Sequence, residues 1–184
     1  MRLSPFHMAI PSRHSAPAAI RAATRTFSVT SSIAGKRQLL QSNRSAELFL
    51  RVLYEYRSQQ KFRLHEFVVM PDHFHVLITL ERDMSVERAV QFIKGGFAFR
   101  ACREFGFRPP VWQRGFSEVR VNDARAFAQT RHYIRDNPVE AHLVNAPEEY
   151  LYSSAYPGFI LDPAPQGLTP GGVCDSFGMA KAMP

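Results

Sequence analysis

Apolar and polar positions change their spacing several times along the chain. From Arg25 to Ser31 they alternate and include β-branched residues, which predicts a first strand over about residues 25–32. A loop follows, with Lys36, Arg37 and Arg44 in it or beside it. Leu48, Phe49, Val52, Leu53 and Tyr56 then recur at helical spacing, with Ser45 as the expected cap, and predict a helix to about Ser58. Phe62–Val69 and His73–Leu80 read as two strands. The short Met70-Pro71-Asp72 break between them predicts a hairpin. Ser85 opens a second helix with Val86, Ala89, Val90, Ile93 and Phe97 on its apolar stripe. Gly95-Gly96 in its middle costs up to about 1 kcal/mol per residue against alanine, so a close approach or a bend is expected there. Residues 105–115 form an irregular basic-aromatic loop, Phe116–Val121 a fourth strand, and Asp123 caps a third helix to about Asn137. Pro138 is expected to stop that helix, because the residue before a proline disfavours helical geometry.

Strand, helix, strand, strand, helix, strand, helix is the order of the α+β, ferredoxin-like split βαβ sandwich, an antiparallel sheet with helices, here with an extra C-terminal helix. Residues 25–160 are assigned to this domain, 139–160 crossing its surface. Residues 1–24 are assigned to a basic arm, and 161–184, with several Pro and Gly, to a flexible tail.

Composition adds a partner class. A length of 184 residues and 45% hydrophobic content fit one globular domain. A net charge of +7 favours a polyanion, nucleic acid before an anionic membrane surface. No apolar run has the length of a membrane span, and no membrane association is expected. Cys102 and Cys174 make neither a disulfide framework nor a cysteine zinc site, which fits a reducing, cytoplasmic setting. The first acidic residue is Glu47. An acid-poor start with Arg and Ser has the look of an organelle transit peptide, but it is read as a disordered arm.

The candidate chemistry begins at His73-Phe74-His75. Side chains alternate along a strand, so the two imidazoles share one face while Phe74, Val76 and Ile78 point into a core. Two imidazoles on a rigid strand are half of a metal site. In the third helix Tyr133 and Asn137 are four residues apart and share a face. Packed near the third strand, that helix would let His73, His75 and Asn137 hold one divalent ion with Tyr133 beside it. His65, next to Glu66, reads as structural.

These segments carry a resemblance. Met70-Pro-Asp-His-Phe-His-Val-Leu-Ile78 resembles the motif of the single-tyrosine HUH transposases, in which two histidines flank a bulky apolar residue. Tyr133-Ile-Arg-Asp-Asn-Pro-Val139, then Leu143-Val144 and Pro147-Glu-Glu-Tyr-Leu-Tyr-Ser-Ser154, resemble the tyrosine helix and its sequel in the REP-associated branch, and Val111-Trp-Gln-Arg-Gly-Phe116 is similar to the segment preceding that branch's fourth strand. The resemblance spans roughly residues 25–160. It implies a metal-dependent endonuclease and strand-transferase acting on single-stranded or hairpin DNA, a bacterial nucleoid-associated setting, and a monomer or homodimer. By position it makes Tyr133 the nucleophile and His73, His75 and Asn137 the ligands of Mg²⁺ or Mn²⁺. Tyrosine, with an ordinary pKa of about 10, is a poor nucleophile at neutral pH, and a divalent ion on the scissile phosphate offsets the charge that develops.

Lys94, Arg100, Arg103, Arg108 and Arg114 are then candidates for phosphate contacts, and Trp112, Phe105 and Phe107 for stacking on unpaired bases. Against these stand plainer readings: a solvated helix face for the arginines and a core position for Trp112 and Phe116. The rival function is a non-catalytic hairpin-DNA-binding protein derived from a transposase, which would have no need of the Tyr133 hydroxyl. A histidine-pair hydrolase on a (β/α)₈ barrel is excluded by length.

Overall fold

A computed structural model describes residues 24–81, 83–165 and 168. The basic arm, except Thr24, and most of the tail lie outside the described residues. The elements are β1 (Arg25–Ser32), α1 (Asn43–Ser58), β2 (Arg63–Val69), β3 (His73–Leu80), α2 (Val86–Phe105), β4 (Ser117–Val121) and α3 (Ala124–Glu140), with single 3-10 turns at Ala34–Lys36 and Pro147–Glu149. The strands form one antiparallel sheet in the order β2-β3-β1-β4. This is the α+β, ferredoxin-like arrangement expected from the element order, with α3 as the additional helix.

The sheet has two unlike faces. On one, Phe27, Val29, Leu64, Phe67, Phe74, Val76 and Ile78 pack with Phe49, Val52 and Leu53 of α1 and with Val90, Ile93 and Phe97 of α2. On the other, a smaller cluster joins Val68, Met70, Leu77 and Val121 to Phe127 and Ile134 of α3. β3 alternates between them, so its odd residues, including both histidines, face α3. A register shift between Leu64 and Glu66 marks a bulge in β2.

Three local expectations are corrected or sharpened. The cap of α1 is Ser42, whose hydroxyl accepts from the Ser45 amide at 3.3 Å, while the Ser45 hydroxyl donates to the Leu39 carbonyl at 2.5 Å. Pro138 does not end α3, which runs on to Glu140. In the last turn a proline removes only one helical hydrogen bond, and its ring is buried. The glycine pair reflects a close approach rather than a bend at Gly96: a Cβ there would lie 2.8 Å from Tyr56 Cε2 and 3.0 Å from Val52 Cγ1, whereas one on Gly95 would meet nothing within 4 Å.

After α3 the chain returns along the outer edge of β2. Val69 donates its amide to the Tyr152 carbonyl (2.9 Å), Ser154 to Phe67 (2.9 Å) and Asp162 to Leu64 (2.8 Å). Arg57 closes the run with two bonds to the Asp162 carboxylate, at 2.8 and 2.9 Å, and that guanidinium holds Asp162 below the usual carboxylate range. These contacts extend past the boundary drawn at residue 160 and cover an edge strand that would otherwise offer free backbone groups. Among the described residues no helix is long and apolar enough to cross a membrane.

Candidate active site

The four residues singled out by spacing converge in the structure. The His73 and His75 rings have centroids 4.8 Å apart, and Tyr133 on α3 places its ring edge-on to His75 with centroids 5.4 Å apart. Tyr133 is 44% exposed, so its hydroxyl can be reached from outside, whereas His75 is buried. Asn137, one turn further along α3, reaches the same imidazole.

Each imidazole is oriented through Nδ1. His73 Nδ1 lies 2.6 Å from Asp72 Oδ1, and His75 Nδ1 lies 2.7 Å from the Thr30 hydroxyl. Thr30 is placed by strand register, being the β1 residue directly opposite His75. Second partners of this kind fix ring orientation and direct the other nitrogen toward a metal. Burial, with His73 adjacent, pushes the pKa of His75 down to about 3. The Asn137 amide counteracts this, favouring the charged ring, but its geometry closes no hydrogen bond on Nε2. His75 Nε2 is therefore a buried ring nitrogen without a partner, an arrangement that needs an explanation in a folded protein. A divalent ion would supply one. The donors on hand are two imidazole nitrogens and an amide oxygen, a set that suits an ion of borderline hardness and leaves positions for water and phosphate. Among the described residues no group of three or more His, Cys, Asp or Glu side chains is placed to hold a metal.

The predicted DNA-contact residues separate into two groups. Trp112 is in the core: it is packed on Phe49, Phe74 and Phe97, and its indole donates to the Lys94 carbonyl at 2.8 Å. Its ring is not free to stack on a base. Lys94 donates to the carbonyls of Gln113 (3.0 Å) and Gly115 (2.5 Å), and burial lowers its pKa. Arg100 pairs with Glu55 at 2.6 Å. These three hold the fold together. Arg103, Arg108 and Arg114 are exposed, Arg103 lying over the Phe99 ring with its Cζ 5.4 Å from the centroid. Arg103 is on α2, across the sheet from the histidines. The loop carrying Arg108 and Arg114 runs beside their end of it: Gln113 donates to Ser32, the residue opposite His73. Phe105 and Phe107 are half-buried against each other at 5.5 Å.

Sequence reasoning missed Asp72 and Thr30, and it missed the buried polar groups beneath α3. Asp72 was legible as the neighbour of His73, whereas Thr30 becomes visible only once the β1–β3 register is known. His65 is structural, as expected: it bonds Thr79 (2.7 Å) and the Asp162 carbonyl (3.2 Å), and burial lowers its pKa.

Comparison with known proteins bears on this arrangement. The family model described as transposase IS200-like matches residues 28–137, from β1 through the tyrosine helix. The structure of a REP-associated tyrosine transposase bound to a REP hairpin superposes with a TM-score of 0.61 at 22% identity, covering 83% of this chain and 93% of the other. A protein of Deinococcus radiodurans R1, described as a transposase, gives a TM-score of 0.49 at 19% identity, covering 70% of this chain and 97% of its own. No curated protein matches the chain.

Proposed function

Because the chain belongs to the IS200-like transposase family, we propose that it is a metal-dependent single-strand DNA endonuclease and strand-transferase of the REP-associated kind, acting on hairpin-forming DNA. The observation that carries this reading is the meeting of Tyr133 with His75, a histidine whose Nε2 is buried and unpartnered while its Nδ1 is held by Thr30. His73, His75 and the Asn137 amide would hold Mg²⁺ or Mn²⁺. When bound, the ion polarises the scissile phosphate and stabilises the charge developing on its oxygens. Tyr133 attacks the phosphorus, the O3′–P bond breaks, and the 5′ side stays on the protein as a phosphotyrosine ester with a free 3′-hydroxyl on the other side. The ester conserves the phosphodiester linkage, so a second 3′-hydroxyl can take the 5′ end without a nucleotide cofactor.

The protein is proposed to act as a monomer or a homodimer. Of the three exposed arginines, Arg108 and Arg114 lie in the loop beside the histidine end of the sheet and are assigned to phosphate contacts, with Arg103 more remote. The domain is read as residues 25–162.

The test incubates the protein with end-labelled single-stranded DNA carrying hairpins, with and without Mn²⁺. A covalent adduct that requires the metal and is absent in Tyr133→Phe is expected. Metal-independent hairpin binding with no adduct on any substrate would instead establish a non-catalytic DNA-binding protein.

A further inference from the structure

The carboxylate of Glu66 is fully buried beneath the tyrosine helix, and the proposed chemistry does not use it. Its Oε2 accepts from Arg131 Nε at 2.7 Å, and its Oε1 accepts from the Ser154 hydroxyl at 2.5 Å. The Phe67 amide donates to that same hydroxyl oxygen at 2.9 Å. Three separate pieces thus meet on one carboxylate: β2, α3 and the segment that covers the β2 edge. Burying a carboxylate with a half-exposed arginine is not an economical way to add stability, since apolar replacements of such pairs are often neutral or stabilising. A positional role explains it better.

The geometry of α3 shows what is positioned. With roughly 100° between successive residues, Phe127, Ile134 and Pro138 form a narrow buried ridge. Arg131 and Arg135 project from one side of that ridge, Tyr133 and Asn137 from the other. A helix resting on a narrow ridge can roll about it, and any roll moves both Tyr133 and Asn137 relative to the histidines. The Arg131–Glu66 pair grips the opposite flank, and Arg135 adds a weaker, exposed pair to Glu148 at 3.2 Å.

We propose that Glu66, supported by Ser154 and joined to Arg131, is a positioning residue that sets the roll of α3 and so keeps Tyr133 and Asn137 in register with His73 and His75. The inference rests on the proposed role of Tyr133, and its test has one readout independent of activity. The full chain is prepared with 3-fluorotyrosine, and the signal of residue 133 is assigned through Tyr133→Phe. Its fluorine shift senses the His75 ring beside it without metal or DNA. Adduct formation is measured in parallel at saturating hairpin DNA and Mn²⁺.

In the double variant Glu66→Gln/Arg131→Met, which leaves no unpaired buried charge, the residue 133 signal is expected to shift and broaden. The adduct rate should fall on the order of 10²-fold, as for an ångström-scale misplacement, with hairpin affinity unchanged. Ser154→Ala should give a smaller change of the same kind, and it carries the test if the double variant does not fold. Arg131→Lys should restore part of the rate relative to Arg131→Met. Folded variants with the wild-type fluorine signal and adduct rate would overturn the proposal. If wild-type protein forms no adduct but the fluorine signal responds as expected, the positioning role stands and the proposed catalysis falls.

Discussion

The two faces of the sheet are built by opposite rules. The face toward α1 and α2 is dry and aromatic, with Phe49 touching Phe74, Phe97 and Trp112 at ring distances of 4.8–6.0 Å. The face toward α3 has a small apolar cluster surrounded by His65, Glu66, His73, His75, Thr30 and Thr79, all tied by hydrogen bonds. The first face supplies most of the apolar burial that holds the fold, at about 25 cal/mol per Å². The second gives up some of that burial to hold polar groups at fixed distances. Stability and the proposed chemistry are thus divided between the two sides of one strand, β3, whose even residues serve the first and odd residues the second.

That division can be broken by substitution. The largest effect is expected from contrasting Phe49→Ala with Thr30→Val. Phe49→Ala should cost about 3–5 kcal/mol of unfolding free energy, read by denaturant titration. Thr30→Val, which leaves the buried His75 Nδ1 without its partner, should cost less, about 1–3 kcal/mol, but weaken Mn²⁺ binding by about 10–100-fold, measured by calorimetry, because it releases the His75 ring. Equal losses of stability from both would erase the distinction between the faces.

A second contrast lies wholly on the dry side. Gly96→Ala should destabilise by about 1–3 kcal/mol through the clash with Tyr56 and Val52, whereas Gly95→Ala should raise stability by up to about 1 kcal/mol. Thermal melts of the two variants decide whether the pair serves packing at one position only.

The smallest effect belongs to the polar side and to pH. His65 is neutral in the fold with its pKa lowered by burial. Below its unfolded value near 6.5 the unfolded chain binds the extra proton first. Stability should therefore be level above that pH and decline as pH falls beneath it. In His65→Gln the decline should be shallower, and an unchanged slope would mean that His65 does not titrate in this way.

The legible and illegible parts of the molecule follow the same division. Period-two alternation placed both histidines of β3 on one face, and four-residue spacing placed Tyr133 and Asn137 together. Both are local regularities, and the structure repeats them. Trp112 was ambiguous because an aromatic in a basic loop has the same composition whether it faces a base or a core. Only its packing on Phe49, Phe74 and Phe97 decides the question. Pro138 misled because a proline's local preference is strong while its position in the last turn makes its cost small. Thr30, Ser154 and Asp162 act across separations of 45, 88 and 98 residues from His75, Glu66 and Leu64. No local pattern announces contacts of that span.

The cover on the β2 edge also has a consequence in time. On the ribosome Glu66 emerges long before Arg131, and Arg131 before Ser154. Until residues 150–162 are made, the edge of β2 is bare and the carboxylate lacks its hydroxyl partner. On the proposed role of Glu66, the last support for the position of α3 arrives only when this covering segment has been laid down.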